Sequence, residues 1–321
     1  MDKYSIIDSL CYLPTEEVLV DLVVSTPPQM AGYSNVFGPR ATHIYEVEGL
    51  DLDKMKRSLP EEELKDIVAS KMRKISTPIE EFVGQLDEMG VEKAVIFNMD
   101  EETPGGTKGL PNDYYADIVK RYPDKFIGMA GVDPFKGVDA VREIRRCYDL
   151  GLRGVSVRPF IFGIPPHHAK MYPIYSTCVE LDIPIWLHTS INYSSKTMEV
   201  EQPIYLDIVA QDFPELKLIA GHGGWPWMNE MVAVAWRNAN VYIDISGYLP
   251  KYIGMQGAGW EPLIHFGNSV IQDRILFGSV WILMGMSIKQ LAEGVMELPL
   301  KEEVKAKWLY HNAARLFGTA Y

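Results

Sequence analysis

The sequence predicts an α/β fold, a single (β/α)8 TIM barrel over residues 1–321, and three observations predict it. Short apolar, β-branched runs alternate with amphipathic helical stretches, the pattern of a parallel sheet with crossover helices. Eight such runs occur, over 4–10, 93–97, 126–132, 154–157, 183–188, 216–220, 241–245 and 274–277. Eight strands with alternating helices favour a closed barrel over an open doubly wound sheet. Finally, no GxGxxG or GxxxxGKS segment follows any run, so neither a dinucleotide-binding nor a P-loop fold has positive support.

The helices are clearest in DYYADIVKRY from Asp113, AVREIRRCYDL from Ala140, PIYSTCVEL from Pro173 and MNEMVAVAWRN from Met228, where apolar residues recur at helical spacing. The first connection breaks the pattern. Residues 14–77 are far longer than an ordinary βα loop, and long loops of this kind carry function or cover a site. They are expected to form a lid-like insertion, or alternatively a surface excursion making an oligomer contact. The first half holds Met30, Tyr33, Phe37, Arg40, His43 and Tyr45, and the second half is charged and helical in pattern.

A chain of 321 residues with 47% hydrophobic and 23% charged content can bury a large core. The formal charge of -12 argues against nucleic acid, which would need a clustered basic surface. Cys11, Cys147 and Cys178 stand far apart with no CxxC pair, so neither a disulfide framework nor a cysteine zinc site is indicated. The amino terminus lacks a secretory apolar stretch, and the run near 275–286 is too short and glycine-broken to span a bilayer. A cytoplasmic protein with a small-molecule substrate and no membrane or nucleic-acid partner is expected.

In a barrel the strand ends face the active site, so polar residues just after each apolar run are the candidates. Strand five delivers His188 in WLHTS, strand six His222 in AGHGGWPW, strand four Arg158 in GVSVRP, and strand seven Asp244, Ser246 and Tyr248 in DISGY. A lone histidine at a strand end is usually a packing residue, but two at neighbouring strand ends point to acid and base work. Arg158 has two readings, a salt-bridged core residue or a charge-assisted grip on a substrate carboxylate. Asp8 and Asp244 read as buried, hydrogen-bonded carboxylates. Trp186, Trp225, Trp227 and Trp281, with Phe160 and Phe162, gather near the same strand ends and suit a flat or apolar ligand. Tyr12, Trp225, Trp281 and Ser246 are therefore taken with Arg158 as substrate-binding candidates. His167 and His168 read as a surface loop pair, and His265 and His311 as structural.

WLHTS, AGHGGWPW, NDYYADIVKRYPDKFIGMAGVDP, LFGS and the closing YHNAARLFG resemble the amidohydrolase-related family, whose members include aminocarboxymuconate-semialdehyde decarboxylase and the resorcylate-type decarboxylases. The match covers nearly the whole chain outside the long first loop. The resemblance implies an amidohydrolase-like barrel, a hydrolase or carbon-carbon lyase activity on a small carboxylated cyclic or aromatic substrate, and a homodimer. It also implies one zinc or manganese ion, held by a His-x-His or Glu-x-His pair after strand one, a histidine after strand five and an aspartate after strand eight.

This sequence departs from that pattern. Strand one reads Ile7, Asp8, Ser9, Leu10, Cys11, Tyr12, and strand eight reads Gly278, Ser279, Val280, so only His188 and His222 survive. Two histidines are a poor cage for catalytic zinc. The leading expectation is thus a metal-independent enzyme in which His188 and His222 act as acid and base, with no cofactor. One alternative keeps a zinc or manganese ion on His188, His222 and Cys11, or on a loop carboxylate such as Glu46. Another is a catalytically inactive barrel serving as a binding or scaffold subunit.

Overall fold

The computed structural model describes residues 5–37, 55, 58–106 and 108–319. Eight parallel strands follow one another around one sheet in chain order: β1 Ile6–Cys11, β2 Val91–Phe97, β3 Phe126–Gly131, β4 Val155–Val157, β5 Ile185–His188, β6 Leu218–Gly221, β7 Val241–Asp244 and β8 Ile275–Leu276. Every one of the eight apolar runs is a strand, and the four helical stretches are α1 Asn112–Arg121, α2 Val138–Asp149, α3 Tyr172–Glu180 and α4 Met228–Arg237. The expected (β/α)8 barrel is the observed architecture.

Period-two alternation sorts the side chains. On β2, Ala94 and Ile96 join the outer core under the helices, whereas Val95 and Phe97 join the inner one. Ile185 and Leu187 of β5 lie outside and Trp186 inside; Leu218 and Ala220 of β6 lie outside and Ile219 inside. Consequently the residue that ends β5 on the inner face is His188.

β1 carries an irregularity that decides its chemistry. Asp8 pairs with Ala94 but Cys11 pairs with Ile96, so β1 spends one residue more than β2 over this stretch, the signature of a bulge. Ile7 and Leu10 both reach the inner core and Cys11 the outer one. The barrel closes between β1 and β8 through Ser9 N donating to Phe277 O at 2.8 Å and Val280 N donating to Leu10 O at 3.0 Å. The Asp8 carboxylate completes the seam, accepting from Ser279 N at 2.8 Å, from Leu10 N at 3.2 Å and from the Ser279 hydroxyl.

Within the connection over 14–77, the described helices are Glu16–Val24, Ala31–Phe37 and Glu61–Met72, and the first packs on the last. Arg40, His43, Tyr45 and Glu46 lie outside the described residues. No helix among the described residues is long and apolar enough to cross a membrane.

Burial raises Asp8 to about 6, against about 3.9 for an unfolded aspartate. The folded chain therefore keeps this proton over a window in which the unfolded chain has lost it. The stability it contributes falls as pH rises from about 4 to about 6, by at most about 3 kcal/mol. Asp8→Asn keeps the Oδ1 acceptor, puts an N–H donor where Oδ2 accepts from Ser279, and removes the titration, so its stability relative to the wild type should grow with pH across that window in urea unfolding; a constant difference from pH 4 to 7 contradicts this.

Candidate active site

His188 is buried, and its Nδ1 meets the carboxyl of Glu201, which sits in the 3-10 turn Glu199–Glu201. Glu201 Oε2 also accepts from Ser190 N at 3.4 Å, while Oε1 has no hydrogen-bond partner among the described residues. Burial pushes Glu201 well above the usual carboxylate range and His188 well below the usual imidazole range, and the Arg158 cation depresses His188 further. Both shifts favour the uncharged pair. In that form Glu201 donates to Nδ1, and the network assigns the His188 proton to Nε2.

His222 reaches the mouth by a different device. Alternation places Gly221, not His222, on the inner face, where a Cβ would stand 2.2 Å from the Trp186 ring. The backbone then enters the left-handed region at His222, with φ 63, a conformation uncommon for a residue with a side chain. Its Nδ1 lies 2.9 Å from Ser246 Oγ and 3.2 Å from Ser246 O. Ser246 Oγ donates to Asp244 Oδ2 at 2.7 Å, Ser246 N donates to Oδ1 at 2.9 Å, and Trp186 Nε1 donates to Oδ2 at 3.0 Å. With Ser246 Oγ already donating to Asp244, His222 must donate from Nδ1, which leaves Nε2 as a lone pair. Burial first, and then the neighbouring His188, push His222 down to about 3.

The two imidazoles meet edge to face, ring centres 4.8 Å apart at 69°. Trp186 closes the space below His222 at 5.2 Å, and Phe160 flanks His188 at 4.7 Å. Above Phe160 lies Tyr33 of the long connection, stacked on it at 6.3 Å and 9° and meeting Tyr193 at 5.4 Å. The segment is tied down by Ser195 N donating to Gln29 O and by Gln29 Nε2 donating to Pro104 O, both at 2.9 Å.

Arg158 is salt-bridged. Its Nε and Nη2 donate to the two carboxylate oxygens of Glu101 at 2.6 Å each, with side chains only 19% and 7% exposed. The same pair lines a cavity of about 80 Å³ together with Tyr12, Asp21, Asn98 and Tyr115.

The remaining candidates make the following contacts. Trp281 stacks on Phe82 at 5.8 Å and donates from Nε1 to Tyr12 O at 2.9 Å. Trp225 donates to Ala258 O at 3.0 Å and lies beside Tyr248. Ser246 is the hydrogen-bond link between His222 and Asp244. His167 is not a free surface residue; it is half-buried against Tyr205 at 4.9 Å.

Sequence reasoning missed Glu201 and Glu101. Glu101 had a usable signal, because NMDEE directly follows β2 and the strand-end rule covers it. Glu201 had none, standing 13 positions beyond His188 in a loop.

The donor set among the described residues does not fit a divalent metal. Cys11 is buried in the outer core with Sγ toward Tyr12 O at 3.6 Å, away from the histidines. The equivalent mouth positions carry Leu10 and Val280, both buried and apolar. Among the described residues no group of three His, Cys, Asp or Glu side chains converges as a cage, and catalytic zinc takes three protein ligands.

Gly247 has φ +79, and a Cβ there would stand 2.9 Å from His222 Nδ1. Gly247→Ala should destabilise the protein by about 1–3 kcal/mol through backbone strain and displacement of the ring. Urea unfolding measures it, and wild-type stability would contradict the packing described.

The amidohydrolase family model matches residues 24–319. The 2-amino-3-carboxymuconate-6-semialdehyde decarboxylase of Dictyostelium discoideum is 25% identical over 130 residues, 35% of this chain and 36% of that protein, so the match spans about a third of that relative's length. The gamma-resorcylate decarboxylase of a Polaromonas species is 24% identical over 278 residues, 72% of this chain and 85% of that protein. Among solved structures, an uncharacterised TIM-barrel protein from Bordetella bronchiseptica has a TM-score of 0.72 at 23% identity, covering 98% of both chains. The 5-carboxyvanillate decarboxylase of Novosphingobium aromaticivorans, crystallised with manganese and 4-hydroxy-3-methoxy-5-nitrobenzoic acid, has a TM-score of 0.62 at 18% identity, covering 98% of this chain and 96% of that one. At such identities these structures speak for the fold alone. The family match extends over nearly the whole barrel, and the chain belongs to the amidohydrolase family.

Proposed function

We propose that the protein is a carboxy-lyase acting on a small hydroxylated aromatic carboxylate, by acid and base work of His188 and His222 without a metal. The single observation that carries this reading is the edge-to-face contact of the two rings at 4.8 Å, each backed on Nδ1 by its own partner. The names of the relatives, which include decarboxylases of a resorcylate and of a carboxymuconate semialdehyde, supply the substrate class. The aromatic surroundings, Trp186 and Phe160, suit a flat ring. The segment carrying Tyr33 serves as the lid that excludes water.

His222 Nε2 takes a proton from the substrate's ring hydroxyl. The resulting imidazolium returns it to the ring carbon bearing the carboxylate, and the carbon-carbon bond breaks as carbon dioxide leaves. Burial keeps the His222 ring a free base at neutral pH, the form that can accept a proton. His188 offers its Nε2–H to the negative charge that builds on the oxygen. Glu201 holds that imidazole in the donating tautomer. The substrate site and the catalytic pair lie in one chain; a homodimer is proposed from the family resemblance alone.

The test is decarboxylation of 2,6-dihydroxybenzoate and 5-carboxyvanillate, followed by absorbance, before and after treatment with EDTA. Turnover should survive the chelator, and His222→Ala should lower it by about 10²- to 10⁴-fold with an unchanged circular dichroism spectrum. Unaltered activity in that variant sinks the mechanism. Activity lost to EDTA and restored by manganese supports the metal-bound alternative instead, and a folded protein inert toward both acids supports a binding role.

A further inference from the structure

The cavity beside Arg158 has a charge pattern that a carboxylate does not satisfy. Glu101 already occupies the guanidinium fork, one oxygen on Nε and one on Nη2 at 2.6 Å each. That is the bidentate geometry with which arginine takes up a carboxylate. Asp21 lines the same cavity, its Oδ1 accepting from Leu110 N at 3.1 Å. Among the lining residues one cation thus faces two carboxylates, with the Lys65 charge acting on Asp21 from outside the lining, and an incoming anion meets a guanidinium already matched by Glu101.

What remains unspent is neutral hydrogen-bonding capacity. Arg158 Nη1 has no acceptor among the described residues, since the pair uses only Nε and Nη2. Tyr12 and Tyr115 line the cavity, and each carries a hydroxyl that both donates and accepts. The Asp21 carboxylate, which takes Leu110 N and the Ser25 hydroxyl, still has acceptor lone pairs, and Phe97 adds an apolar wall. An oxygen that accepts from Nη1, joined to an O–H or N–H that donates to Asp21, matches this set. The volume of about 80 Å³ corresponds to a polar substituent and not to a whole substrate, about half the space that an engineered benzene-binding cavity offers.

We infer that this cavity is a subsite for an uncharged carboxamide, carbonyl or hydroxyl group of the ligand, and that Glu101 is the specificity residue that turns a carboxylate away from Arg158. The substrate's carboxylate is then left for the histidine side of the mouth. The biological meaning of the subsite rests on the function proposed above, but its test reads binding alone, so its failure and a failure of the histidine chemistry are separately visible.

Benzamide and benzoate are probes of one shape and opposite demand. Their affinities for the full chain are measured by ligand-observed NMR titration on the wild type, Glu101→Gln and Tyr12→Phe. The wild type should bind benzamide in the millimolar range or tighter. Glu101→Gln empties one side of the fork of charge and should raise benzoate affinity at least tenfold, with benzamide changed less than threefold. Tyr12→Phe should weaken benzamide several-fold and leave benzoate as it was, which keeps the test alive if Glu101→Gln fails to fold. The inference is overturned by benzoate affinity that is unchanged in folded Glu101→Gln. It is overturned equally by benzamide affinity indifferent to Tyr12→Phe, or by no benzamide binding to the wild type.

Discussion

The two imidazoles face each other at 4.8 Å, and each disfavours a charge on the other, because two imidazolium ions at that distance away from water would repel strongly; desolvation pushes both rings toward the neutral form. Asp244 and Ser246 pull His222 the other way, toward the protonated form, without overcoming burial; what the neighbours fix is which nitrogen carries the proton. Glu201 holds Nδ1 of one ring; Ser246, itself held by Asp244, takes Nδ1 of the other. One ring is left presenting N–H and the other a lone pair, so an acid and a base stand side by side although the residues are the same. The Arg158 cation adds to the effect on both rings.

The mouth is divided. On the β1 and β8 side Asp8 locks the seam through Ser279, and the positions above it are Leu10 and Val280, buried and apolar. Val280 has φ 46, a costly state for a β-branched residue, and its N–H donates to Leu10 O. Trp281 then turns outward onto Phe82. On the β2 and β4 side the chain keeps polar groups, the Glu101–Arg158 pair and the cavity beside it. A buried ion pair is retained at a desolvation cost, which is better accounted for by recognition than by stability.

The strands were legible as short apolar runs, such as Leu-Ile-Ala in β6 and Val-Tyr-Ile in β7, and the helices by apolar residues at helical spacing. His188 was found by the strand-end rule, and alternation also gives it the inward place. His222 was found by the strand-end rule, but alternation gives Gly221 that place, and only the positive φ after it restores the histidine. The bulge in β1 was foreseeable only as an option, since one extra residue leaves no mark in the residue types. Glu201 was illegible because its carboxyl reaches His188 from a loop, and loop approach is decided by tertiary packing. The partner of Arg158 stood in plain view after β2 in the run NMDEE, where the same rule applies.

The most direct test of two neutral, opposed imidazoles is the pH dependence of the histidine ring nitrogens, followed by nitrogen-15 NMR on uniformly labelled protein, with His188→Gln and His222→Gln for assignment. Neither ring should take up a proton between pH 5 and 8, and His222 should carry its single proton on Nδ1. An ordinary titration of either ring near 6.5, or His222 with its proton on Nε2, would contradict the account.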